Sequence, residues 1–156
     1  MMREQKPPVT VYLSYAQKDE ALKQEFEDYL SIMQQTQVIA SWAECQVKPG
    51  TDWSQIIDPH ILTADLILLL VSPSFLASGY CSGAEFHEAF ERSKTRRETV
   101  LIPILLHHIN LAGHPLGAIA WLPRGKPVSS WSDRHKAWLN VDQEIRQVIT
   151  HIRQTF

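Results

Sequence analysis

The sequence predicts a doubly wound α/β domain, a parallel sheet with helices packed on both faces. Two observations lead there. Helical periodicities alternate with short β-branched or aromatic runs from Val9 onward. Two of those runs, DLILLLVS (Asp65–Ser72) and TVLIPILL (Thr99–Leu106), are apolar without alternation, as suits strands covered on both faces. A chain of 156 residues, 44% hydrophobic and 21% charged, fits one such domain with a full core.

Residues 1–8 read as a flexible lead-in, because Lys6-Pro7-Pro8 resists helix and sheet alike, and 9–156 as a single domain. VTVYLSY (Val9–Tyr15) is the first strand. AQKDEALKQEFEDYLSIMQQ follows, with Leu22, Phe26, Tyr29, Leu30 and Met33 at helical spacing on one face. QVIASW (Gln37–Trp42) is a second, shorter strand, and AECQVKPGTD a polar loop broken at Pro49-Gly50. WSQIIDPHILTA reads as a helix that Pro59 kinks or splits. In the central strand, Leu66, Leu68 and Leu70 face one helical layer, and Ile67, Leu69 and Val71 the other. The next helix carries Glu85 and turns Phe86, Ala89 and Phe90 to the core. After Thr99–Leu106, the irregular stretch HHINLAGHPLGAIAWLPRGK leads to a short edge element at Pro127-Val128. DQEIRQVITHIRQ closes the chain as an amphipathic helix with Ile145, Val148, Ile149 and Ile152 inward.

Charge and composition exclude several classes. With 15 basic and 17 acidic residues the net charge is −2, so no global field points to nucleic acid or an anionic membrane. Cys45 and Cys81 form no spaced framework, which fits a reducing compartment. MMREQKPP precedes only a short apolar run, unlike a signal peptide, and LILLLV is far below the roughly 20 residues of a membrane span. The expected location is the cytoplasm. SYAQKDEAL contains no glycine, against a dinucleotide or P-loop site that needs close backbone approach to phosphate. Ser14-Tyr15 supplies no acids for a magnesium-dependent phospho-receiver. His107, His108 and His114 have no carboxylate or cysteine at ligand spacing, so no metal is expected. There is no Gly-x-Ser-x-Gly elbow either.

Ligands of doubly wound folds bind beyond the carboxyl ends of the strands. Those ends are Ser14-Tyr15-Ala16, Trp42-Ala43-Glu44, Ser72-Pro73-Ser74 and Leu106-His107. Shortly after one of them, SPSFLASGYCSGAEFHEAFERS (Ser72–Ser93) sets Glu85 near a helix start. Ser82-Gly83-Ala84-Glu85 fits the S-x-x-E capping box, in which the glutamate turns back to a backbone amide. Glu85 also shares a helix face with Cys81 one turn earlier, and Tyr15, Trp42 and Trp53 lie near strand ends. A carboxylate walled by aromatics suits an electron-poor, cationic ligand. The local pattern leaves cap and catalyst both open.

Four segments in order resemble bacterial TIR (Toll/interleukin-1 receptor) domains, over nearly all of Val9–Ile152. VYLSYAQKDEAL is similar to the family's opening strand, and SWAECQVKPGTDWSQII to its second strand and following loop. ADLILLLVSPSFLASGYCSGAEFHEAFER resembles the most diagnostic block, a buried strand, S-P-x-F-L-x-S, then Y-C-x-x-x-E. LPRGKPVSSWSDRHKAWLNV resembles the late block. The resemblance implies a flavodoxin-like fold with five parallel strands. In enzymatic members it implies NAD+ cleavage at the nicotinamide–ribose bond, with Glu85, four positions after Cys81, as the catalytic carboxylate. NAD+ is then substrate, and no cofactor is implied. Ser14, Tyr15 and Lys18 match the first loop lining the substrate pocket, Trp42, Glu44 and Trp53 flank the mobile loop, and Ser72 and Cys81 complete the expected binding set. Glu44 stands where many relatives have aspartate, and Gly83 and Ala84 replace bulkier residues. Implied partners are other copies of the chain, packed head to tail and able to extend into filaments, and a sensor protein or fused sensor domain. The implied setting is antiviral immunity. The alternative is a non-catalytic TIR adaptor acting only by TIR–TIR contact. A Glu85 consumed by backbone amides favours the adaptor; an open pocket reaching it favours the enzyme.

Overall fold

The computed structural model describes residues 8–95 and 99–155; the lead-in expected over 1–8 lies, except for Pro8, outside them. Four strands, β1 (Val9–Ala16), β2 (Ile39–Val47), β3 (Leu66–Val71) and β4 (Val100–Leu105), form one parallel sheet in the order β2-β1-β3-β4. The order reverses at β1, which creates a switch point between β1 and β3. The helices are α1 (Glu20–Gln35), α2 (Pro59–Thr63), α3 (Pro73–Ala77), α4 (Ala84–Thr95) and α5 (Arg134–Thr155).

β3 is buried at every position, and its side chains divide the core as expected. Leu66, Leu68 and Leu70 pack with Phe26, Leu30 and Met33 of α1 and with Trp138, Val141, Ile145 and Ile149 of α5. Phe26 and Trp138 stack with ring centroids 5.1 Å apart. Ile67, Leu69 and Val71 pack instead with Ile61 of α2, Phe75 of α3 and Phe86 and Ala89 of α4. Each fully buried leucine contributes on the order of 1.5–3 kcal/mol. Covering both faces of β3 explains its unbroken apolar run.

Four expectations need correction. The sheet has four strands among the described residues, not five. Beyond β4 the chain makes a single parallel bridge, Ile104 to Leu122, with Leu105 N–H donating to Leu122 O (2.7 Å) and Leu122 N–H to Pro103 O (3.0 Å). The next amide that would face β4, Arg124 N–H, donates instead to Asn140 Oδ1 of α5 at 2.9 Å, so the pairing stops there. The Pro127-Val128 element is a 3-10 turn over Val128–Ser130, not an edge strand. β2 is longer than QVIASW suggests, because Ala43, Cys45 and Val47 alternate inward beneath the polar-looking AECQV. Pro59 does not kink a helix; it starts one, at the first helical turn, where its missing N–H costs nothing. Asp58 caps that turn, accepting from His60 N–H at 2.9 Å. Among the described residues no helix is long and apolar enough to cross a membrane.

Candidate functional site

Parallel register sets Ser14 of β1 beside Cys45 of β2. Tyr12 and Ser14 turn their hydroxyls to the face covered by α2, α3 and α4, as their bonds to Glu85 and Tyr80 show. α4 reaches that face because Gly83, just before it, lets the backbone approach Trp53. A Cβ at residue 83 would lie 2.5 Å from Trp53 O, and Ala84 N–H donates to that same oxygen at 3.0 Å. Trp53 is buried, stands edge-on to Tyr80 with centroids 5.0 Å apart, and its Nε1–H has no partner among the described residues.

Glu85, in the first turn of α4, is only 1% exposed. It does not bend back to the helix start as a capping box would. Its Oε1 accepts from the Tyr12 hydroxyl (3.0 Å) and from the Asp58 backbone N–H (2.8 Å). Its Oε2 accepts from the Tyr80 hydroxyl, which also bonds Ser14 Oγ at 3.0 Å. A buried carboxylate is costly unless charge-assisted hydrogen bonds satisfy it, and here three donors do so. Burial, then the charges of neighbours including Glu85, push the Tyr12 and Tyr80 phenols up, so both remain donors. Burial and the Glu85 charge raise the Cys45 thiol to about 12, and burial raises Cys81 to about 12. Both are free, neutral thiols near pH 7 and poor nucleophiles.

A cavity of ≈ 260 Å³ opens at the strand ends, lined by residues including Ala16, Lys18, Val47, Pro49, Gly50 and Ser78. Ala16 and Val47 lie one same-face step beyond Ser14 and Cys45. Ser78 Oγ accepts from Tyr80 N–H at 3.2 Å. The cavity therefore borders the Glu85 cluster through Ser78, while Glu85 itself does not line it.

The residues singled out from the sequence fall into two groups. Ser14, Trp53 and Cys81 share the sheet face of Glu85, and Lys18 lines the cavity. Ser72 is buried between them, donating to Asp19 and capping α3 by accepting from Phe75 N–H (3.1 Å). Tyr15, Trp42 and Glu44 lie on the opposite face, around the buried Lys23. Glu44 accepts from Lys23 Nζ at 3.1 Å and from Trp42 Nε1 at 3.0 Å, and Lys23 also meets Glu27 at 2.7 Å. Burial lowers the Lys23 ammonium, but the hydrogen bonds to Glu27 and Glu44 outweigh it and leave a net rise. Sequence reasoning missed Tyr12, Cys45, Asp58 and Tyr80. Strand alternation with Ser14 pointed to Tyr12, and nothing local pointed to Asp58. His107 and His108 pair with Ser129 and Ser130 (3.1 and 2.6 Å), and among the described residues no group of His, Cys, Asp or Glu is arranged to hold a metal.

Residues 11–148 match the TIR domain family. The chain belongs to that family. Among curated proteins, this TIR domain is 37% identical over 147 residues to y4lF, an uncharacterised protein of Sinorhizobium fredii. The match covers 94% of this chain and 45% of that protein, so this chain spans less than half the relative's length.

Proposed function

We propose that this TIR domain cleaves NAD+ at the nicotinamide–ribose bond with Glu85 as the catalytic carboxylate. The observation that carries the reading is a buried carboxylate that is not spent on its own helix. It faces two phenols and a loop amide, beside a cavity at the carboxyl ends of the strands. In the reaction, the bond from ribose C1′ to the pyridinium nitrogen breaks and its electron pair goes to that nitrogen. Nicotinamide leaves neutral and needs no acid. The ribosyl centre becomes oxocarbenium-like, as in glycoside hydrolysis. A carboxylate oriented in a dry site stabilises that charge far better than water does. Water then adds to C1′ and releases a proton, giving ADP-ribose, or a nucleophile within the product closes a ring. The domain works in the cytoplasm as an effector of antiviral signalling, switched on by self-association and by a sensor protein or fused sensor domain.

The second reading, an adaptor that acts only through TIR–TIR contact, draws on the near-complete burial of Glu85. One experiment separates the two. Protein clustered on a surface is incubated with NAD+ and the products are resolved by mass. Nicotinamide release that falls roughly a hundredfold or more in folded Glu85→Gln supports the enzyme. No release from clustered parent protein supports the adaptor.

A further inference from the structure

The two phenols on Glu85 have a role beyond burial. Tyr12 and Tyr80 each donate to a different oxygen of the same carboxylate. A phenol has one proton, so Tyr80, donating to Glu85, accepts from Ser14 Oγ, and Ser14 Oγ–H is the donor of that 3.0 Å contact. Both rings are fixed. Tyr12 belongs to an inner strand of the sheet and is fully buried. Tyr80 is also fully buried and meets Trp53, Phe75 and Phe86 in edge or tilted contacts. The third donor differs in kind, since Asp58 N–H comes from the irregular stretch before α2, where Ser54 to Ile57 are exposed.

We propose that Tyr12 and Tyr80 are positioning residues that clamp the two oxygens of Glu85, and that the Asp58 amide is a loop donor that must leave Oε1 before substrate can reach the carboxylate. The proposal rests on the NAD+-cleavage reading above. Rigid donors stay through the reaction because they cannot leave without unpacking the core; the loop amide can leave. The clamp fixes the plane and direction of the carboxylate, so one acceptor direction faces the incoming sugar. Misplacing a catalytic group by about 1 Å costs on the order of a hundredfold in rate.

The test uses Tyr12→Phe and Tyr80→Phe in the whole chain, with two readouts. A hydroxyl proton held between a phenol and a buried carboxylate exchanges slowly and resonates downfield in proton NMR. Two such resonances are expected in the parent, one lost in each phenylalanine variant, and both lost or shifted in Glu85→Gln. In nicotinamide-release kinetics on clustered protein, each phenylalanine variant should lose about tenfold to a hundredfold in kcat, with KM within about twofold of the parent. Circular dichroism confirms the folded fraction used. If Tyr80→Phe does not fold, Ser14→Ala tests the same arm, since it removes the donor behind Tyr80 and should shift that one resonance. Phenylalanine variants that keep the parental kcat, or resonances indifferent to Glu85→Gln, overturn the proposal. Resonances that behave as described in a protein that never releases nicotinamide uphold the clamp and overturn the NAD+ reading instead.

Discussion

Asp58→Pro is the sharpest perturbation of the closed site. It deletes the one backbone N–H on Glu85 Oε1, a 2.8 Å contact, at a position whose φ of −73° already suits proline. The Asp58 carbonyl, which accepts from Ile61 N–H at 3.1 Å, is retained. The substitution also removes the side-chain cap on α2, so Asp58→Ala is the matched control. It loses the same cap, worth about 1 kcal/mol, and keeps the N–H. A hydrogen bond to a charged group contributes roughly 1.5–3 kcal/mol. If that bond holds the loop over Glu85, its loss raises the open population, and apparent affinity rises in proportion. At 1.4 kcal/mol per factor of ten, the apparent KM for NAD+ should fall about 10- to 150-fold in Asp58→Pro relative to Asp58→Ala. Nicotinamide release across a range of NAD+ concentrations, at one fixed protein concentration, measures it. Equal KM values for two folded, active variants would refute the claim that this amide competes with substrate.

Four further outcomes are expected. Gly83→Ala should cost about 1–3 kcal/mol in thermal unfolding, because its Cβ would meet the Trp53 backbone oxygen at 2.5 Å. Leu68→Asp sets an unpaired charge in the middle of the fully buried β3 and should leave the protein insoluble or unfolded in a solubility and circular dichroism assay. Specific activity should rise with protein concentration, and Pro49→Ala or Gly50→Ala should blunt that rise more than they lower Tm; flat activity over a hundredfold range, with constant size by light scattering, would show a site complete in one chain. Finally, hydrogen bonds from Tyr15 to Glu20 and from Lys23 to Glu27 hold both carboxyls below their ordinary value of 4.5. Depressed carboxylates add stability that is present above that pH and lost as pH falls through the folded values. Tm should therefore drop below about pH 4.5, by a modest amount because both side chains are about a third exposed, and Lys23→Met should flatten that drop.

The fold was legible because its main signal is chemical and local. An apolar run with no alternation, such as Leu66–Val71, has one economical home, between two helical layers. The inward set of α1 followed from spacing in the same way, and so did the closing helix, although it begins at Arg134 and not at the expected Asp142. The stop after four strands was not legible, because Leu122 bridges β4 once and the next facing amide, Arg124 N–H, goes to Asn140, a partner 16 residues away. The cluster around Glu85 was legible as a place in the fold and only partly as a set of side chains. Ser14 and Tyr15 are neighbours at the same strand end, yet adjacent residues of a strand point to opposite faces. Once Ser14 bonds Tyr80 beside Glu85, Tyr15 must turn to Lys23. Trp42 and Glu44 follow Tyr15 for the same reason, two residues apart on β2 and joined by their own hydrogen bond. Alternation divides such residues into two sets, but β1 is buried on both faces, so hydropathy does not say which set meets the helix carrying Glu85. Glu85 itself shows the same limit from the other side. Ser82-x-x-Glu85 is a sound capping pattern, and only partners distant in sequence, Tyr12 and Asp58, draw the carboxylate off its helix and into the cluster. A catalytic reading of such a glutamate therefore rests on what approaches it in space, and here that is a strand, a loop and a buried tyrosine whose hydroxyls and amide converge on one carboxylate.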